Sequence, residues 1–210
     1  MKHLFLTSQV QYVAKDIAPK IDDSVKQNSV FITTAIRDKE HTHLEWHYTN
    51  KSQMEAVGFH FVDYDLTGKT ATQIKTDLEP YRCVYVEGGN SFYLLQESQN
   101  TGFDRFINER VEAGVVYIGT SAGSVIAGPD IKPVYQASRA ALAPKLTSTL
   151  GYGLVNFVVM PHWGQEKRRE LYNTYRLNHI YQEDYLYLLL SDYQYVEVKD
   201  DSFQICGSKN

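Results

Sequence analysis

Hydrophobic and polar positions fall into two kinds of block along this chain. Short apolar runs rich in β-branched and aromatic residues occupy 4–6, 30–33, 59–63, 83–86 and 115–118. Helix-length amphipathic stretches lie between them, at 13–25, 44–57, 70–78, 91–97 and 103–113. Continuous apolar runs of this length are what strands look like when a parallel sheet is covered on both faces. Regular alternation with helices predicts an α/β fold of three layers, a mostly parallel sheet flanked by helices. The last third changes character. Residues 151–160 read as a strand or strand pair ending at Pro161-His162, and 166–181 as a charged amphipathic helix. Three short strands follow at 185–190, 193–199 and 202–206, with Asp200-Asp201 as a tight turn. This segment is expected to add antiparallel strands at one edge of the sheet. With no repeat, low-complexity tract or linker, residues 1–210 are expected to form one domain.

Composition narrows the function. The 210 residues are 43% hydrophobic and 22% charged, with a net charge of −4 and no run of like charge. A nucleic-acid partner is set aside because no basic patch is visible. No apolar run approaches the ~18 residues a membrane helix needs, and residues 4–6 are too short for a signal-peptide core, so a cytoplasmic location is expected. Cys83 and Cys206 sit in no metal-ligand spacing and read as small buried hydrophobes. The 16 tyrosines against 2 tryptophans fit an amphipathic core periphery.

Three stretches carry chemistry. In Gly119-Thr120-Ser121-Ala122-Gly123 a G-x-S-x-G pattern follows an apolar strand and precedes a helix-compatible run. That context is the one a nucleophile elbow needs: the strained turn lifts the serine Oγ above the sheet, and the N–H of Ala122 can donate to an oxyanion. In Glu87-Gly88-Gly89-Asn90-Ser91 a strand ends at two glycines. Backbone N–H groups there can approach a ligand without hindrance from a Cβ, and Asn90 or Ser91 can cap the next helix. This makes Gly88, Gly89 and Asn90 candidates for oxyanion or substrate binding, beside the plainer reading of a strand-to-helix turn. In Met160-Pro161-His162 a histidine follows a strand, 41 residues after the serine (162 − 121). The other six histidines, His3, His41, His43, His47, His60 and His179, lack such placement.

Taken together and in this order, these stretches resemble the peptidase E family of serine peptidases. The resemblance implies a fold like that of class I glutamine amidotransferases, with Ser121 as nucleophile and His162 as base. It also implies hydrolysis of short peptides with an N-terminal aspartate, without a metal or organic cofactor. Family members carry an aspartate between serine and histidine. Here Val134-Tyr135-Gln136-Ala137-Ser138 occupies that region, and no carboxylate lies between Asp130 and His162. Glu166, four residues past His162, is the expected substitute as third member of the site, with Glu87 and Asp130 as alternatives. The neutral Gln136 could orient the imidazole but supply no charge. Arg139, Lys167, Arg168 and Arg169 are candidate partners for a substrate carboxylate, or a solvated helix face. Rival readings are a hydrolase of esters or of other amino-terminal residues, and a binding or regulatory protein that has lost the third member. A monomer or a homodimer is compatible with all of these.

Overall fold

The computed structural model describes residues 1–37 and 44–207. His41 and His43 lie outside these, as does the side chain of His179. In chain order the strands are β1 (His3–Thr7), β2 (Ser29–Ile32), β3 (Phe61–Tyr64), β4 (Cys83–Val86), β5 (Val116–Thr120), β6 (Phe157–Met160), β7 (Leu186–Leu189), β8 (Gln194–Lys199) and β9 (Ser202–Gly207). The helices are α1 (Ala14–Ile17), α2 (Asp23–Lys26), α3 (Glu45–Ala56), α4 (Ala71–Leu78), α5 (Ser91–Thr101), α6 (Phe103–Glu112), α7 (Ala122–Ile126), α8 (Ala137–Ala140), α9 (Glu166–Leu171) and α10 (Leu177–Ile180).

Seven strands form one sheet in the order β3-β2-β4-β5-β1-β8-β9. The pairings β2–β3, β2–β4, β4–β5 and β1–β5 are parallel, whereas β1–β8 and β8–β9 are antiparallel. The expected three-layer architecture with added C-terminal strands is therefore present. Successive side chains of a strand enter opposite cores, as the two-residue period requires. Leu4 and Leu6 join Val30, Val84 and Tyr117 beneath α4–α7, while Phe5 joins Phe31, Tyr85 and Ile118 beneath α1–α3. Both faces are dry, which is why these strands read as unbroken apolar runs.

Local sequence explains where elements start and stop. At α4, Thr70 Oγ1 accepts the Gln73 N–H at 3.2 Å and Gln73 Oε1 accepts the Thr70 N–H at 2.9 Å, a capping box. The helix expected over 13–25 is instead broken into α1, a 3₁₀ turn Ala18–Lys20 and α2. Pro19 lacks the N–H that a continuous helix would use there. The helix expected over 166–181 is interrupted by a π-turn, Tyr172–Arg176, between α9 and α10.

One strand departs from expectation in a way that matters for function. β7 does not join the antiparallel edge. It pairs parallel with β6 in a separate two-stranded sheet, in the register Val158↔Tyr187 and Met160↔Leu189. The two strands therefore end side by side at their carboxyl ends. Among the described residues no helix is long and apolar enough to cross a membrane.

Candidate active site

A cleft of about 360 Å³ opens at the carboxyl ends of β4, β5 and β1, where ligands collect in open α/β sheets. Ser121 stands at its floor, between β5 and α7. Its backbone is forced to φ 48° and ψ −106°, a conformation non-glycine residues rarely adopt. The turn is held because Ser121 N–H donates to Thr7 O at 3.0 Å, and Ser124 Oγ donates to Thr7 O and Gly119 O at 2.7 and 2.8 Å. Gly123 packs against β4 so closely that a Cβ would collide with the Val86 carbonyl oxygen. Gly123→Ala is expected to destabilise the fold by about 3 kcal/mol or more, the range of overpacked cores, read from the midpoint of urea unfolding.

His162 follows β6 and is also held at a positive φ, 66°. Two such residues facing one cleft mark a site where the fold imposes strain. The His162 N–H donates to Ser8 Oγ at 2.7 Å, which fixes the backbone, and its ring reaches the cleft with Nε2 3.0 Å from Ser121 Oγ.

The partner of the other ring nitrogen is Asp192, in the connection after β7. His162 Nδ1 lies 2.7 Å from Asp192 Oδ1. The carboxylate can only accept, so Nδ1 carries the proton, and Nε2 is left with a lone pair toward the serine hydroxyl. Ser8 Oγ donates to the same Oδ1 at 2.9 Å, and Gln165 Nε2 donates to Oδ2 at 2.8 Å. Burial alone would raise the Asp192 carboxyl. The hydrogen bonds from His162, Gln165 and Ser8 outweigh it and hold the group below its usual value.

The carboxylates expected from the sequence stand elsewhere. Glu166 is exposed in the first turn of α9, while the Nδ1 it was to hold faces Asp192. Asp130 accepts the Lys132 N–H at 2.8 Å, and Glu87 is enclosed by His47, Asn50 and the Gly88 N–H. Asp192 was missed because Ser191-Asp192-Tyr193 reads as a connection between antiparallel strands, which would place it at the far end from His162. Parallel pairing of β6 and β7 reverses that. The available signal was the same one that marked His162, an ionisable residue just past the end of an apolar run.

The Gly-Gly-Asn loop divides its labour. Asn90 is fully buried and caps α5. Its Oδ1 accepts the N–H groups of Phe92 and Tyr93 at 3.0 and 3.3 Å, and its Nδ2 donates to Arg139 O at 3.0 Å. These bonds make it a helix cap, and it is not among the residues that line the cleft. The Gly88 N–H is taken by Glu87 Oε1 at 2.6 Å. Gly89 and Ala122 also line the cleft, and their N–H groups meet no acceptor among the described residues. Gly89 has φ 135°, and a Cβ there would collide with the Ala35 carbonyl oxygen.

Arg139, Arg168 and Arg176 also line the cleft. Arg176, in the π-turn, is 5% exposed and stacks on Tyr172, with its guanidinium carbon 4.8 Å from the ring centroid. No carboxylate pairs with it among the described residues, its Nε lacks a partner, and burial pulls its pKa down. Of the basic residues considered from sequence, Arg139 and Arg168 reach the cleft. Lys167 and Arg169 are exposed on α9 and do not line it.

An open, mostly parallel α/β sheet bearing a serine on a strained strand-to-helix turn, with a histidine against its hydroxyl, belongs to the nucleophile-elbow class of architectures. Within that class the chain belongs to peptidase family S51, whose model matches residues 4–206, and it is a peptidase acting on peptide substrates. It is 35% identical over 176 residues to the uncharacterized peptidase Lmo0363 of Listeria monocytogenes serovar 1/2a, covering 81% of this chain and 82% of that one. It is 26% identical over 209 residues to peptidase E of Nostoc sp., covering 94% and 79%. A solved structure from Listeria monocytogenes EGD-e, given as a candidate peptidase E protein, superposes over 100% of both chains with a TM-score of 0.83 at 28% identity.

Proposed function

We propose that this protein is a serine-type peptidase that removes an N-terminal acidic residue, aspartate above all, from dipeptides and other very short peptides. The observation that carries the reading is the unbroken line Ser121 Oγ, His162 Nε2, His162 Nδ1, Asp192 Oδ1, with contacts of 3.0 and 2.7 Å. In this reading His162 takes the Ser121 proton as Oγ attacks the scissile carbonyl, and Asp192 steadies the imidazolium that forms. The Gly89 and Ala122 N–H groups receive the oxyanion. His162 then protonates the leaving amine, and a water molecule, activated in turn by His162, releases the acyl group from Ser121.

Two features support the substrate class. A cleft of about 360 Å³ has room for a small ligand. Arg176 is a buried cation with no carboxylate among the described residues, and an acidic side chain of the substrate would satisfy it. Arg176→Met is expected to raise KM for aspartyl dipeptides by about tenfold to a hundredfold, the worth of a hydrogen-bonded charge, with little change for a neutral N-terminal residue.

The test is a panel of Asp-Leu, Glu-Leu, Leu-Leu, N-acetyl-Asp-Leu and p-nitrophenyl acetate, run beside a fluorophosphonate probe and mass mapping of the labelled residue. Hydrolysis strongest for Asp-Leu, with the label on Ser121, is expected. Equal rates on Leu-Leu would overturn the acidic preference. A protein left unlabelled and inert on every substrate would overturn the hydrolase reading itself.

A further inference from the structure

The mechanism above leaves one buried carboxyl group of the cleft without a task. Glu87 follows β4 and has no exposed surface, yet it lines the catalytic cleft. Its Oε1 accepts the Gly88 N–H at 2.6 Å and the Asn50 Nδ2 at 3.2 Å, and its Oε2 lies 3.3 Å from His47 Nδ1. His47 and Asn50 are themselves buried, on the inward side of α3. Asn50 turns its amide donor to Glu87 although this leaves its own Oδ1 unpaired, so the carboxylate governs the orientation of its neighbours. A buried carboxylate is unfavourable unless such donors meet it, and a plain core would use an apolar side chain here.

We propose that Glu87 is a positioning residue for the oxyanion loop, with His47 and Asn50 as the clamp that holds it. This rests on the serine-peptidase reading. Consecutive N–H groups at Gly88 and Gly89 compete to face the cleft. By capturing the first, Glu87 fixes the peptide plane so that the second is the one presented to the substrate. The loop cannot choose otherwise by shifting, because Gly89 is pressed against the Ala35 carbonyl and Asn90 N–H is tied to the same oxygen at 2.9 Å. On the other side Gly88 abuts Ser121 and Trp46, where an added Cβ would lie 3.2 and 3.5 Å from them. α3 therefore bears on the transition state through the loop.

The distinguishing variants are Glu87→Leu, which keeps approximate shape and removes the acceptor, and Glu87→Gln, which keeps one acceptor. In Glu87→Gln the amide oxygen can take the Gly88 N–H while its nitrogen donates to His47 Nδ1. Glu87→Leu is expected to lower kcat about a hundredfold, the effect of losing one oxyanion donor, with KM nearly unchanged; Glu87→Gln is expected to recover most of that loss. A Glu87→Leu protein with wild-type kcat would overturn the proposal, as would a loss expressed wholly in KM.

Amide hydrogen exchange on the wild-type protein tests the same idea without a variant that must fold. Gly88 should be protected in the free protein, and Gly89 should become protected only after a fluorophosphonate has reacted at Ser121. Protection of Gly89 in the free protein, or a gain at Gly88 on labelling, would overturn it. If Ser121 takes no label, the peptidase mechanism fails, and exchange at Gly88 in the free protein still tests the hold of Glu87 on the loop.

Discussion

Replacing Ser121 with alanine is expected to lower kcat on aspartyl dipeptides by about a millionfold, to the level left by binding and oxyanion contacts alone. In the proposed mechanism this hydroxyl forms the acyl bond. Ser8, whose hydroxyl also lines the cleft, is spent on Asp192 and the His162 backbone. The change removes one oxygen atom from a turn whose stability comes from backbone bonds to Thr7 and from Ser124. The melting temperature should therefore stay close to that of the wild type, and a rate assay beside a thermal scan separates lost chemistry from lost fold. Turnover persisting in a folded Ser121→Ala protein would remove Ser121 from its role.

The second large effect is expected at Asp192. Asp192→Ala should lower kcat by about 10⁴-fold, as loss of the third member of such a site does elsewhere. In the proposed mechanism the change removes the carboxylate that holds the proton on Nδ1 and the counter-charge of the imidazolium formed on proton transfer. Glu166→Ala is the matched control and should change kcat by less than about twofold, as substitution of an exposed side chain does. The reverse pattern, a silent Asp192 and a critical Glu166, would refute the assignment. A pH profile adds an independent check. Because Asp192 is held below its usual carboxylate value, it keeps its charge as the medium becomes weakly acidic, so a fall in activity near pH 5 is not expected to come from this residue.

The parts of this protein legible in its sequence are those set by local rules. Five apolar runs alternating with amphipathic helices sufficed for a sheet covered on both faces, and all five of those strands lie within a residue or two of where the pattern put them. G-x-S-x-G after a strand located the strained turn at Ser121, because only small neighbours fit so tight a bend. His162 was visible as an ionisable residue just beyond an apolar run. Asn90 was legible as a cap, and the capping explanation is the one its side-chain bonds satisfy, whatever the loop does for catalysis.

Tertiary structure decided what depends on which strand ends meet. A run of residues 185–190 has the same pattern whether it pairs parallel or antiparallel, since both expose one face to its neighbours with a period of two. Only the crossover through α9 and α10, which returns β7 alongside β6 in the same direction, brings Asp192 to His162. The same holds for Arg176, whose burial under Tyr172 comes from a π-turn that amphipathic periodicity reads as plain helix. Charge and hydroxyl groups that meet here come from segments as distant as Ser8 and Asp192. Their contact is a property of the packed sheet, where close-packing leaves one arrangement, and not of any stretch of chain.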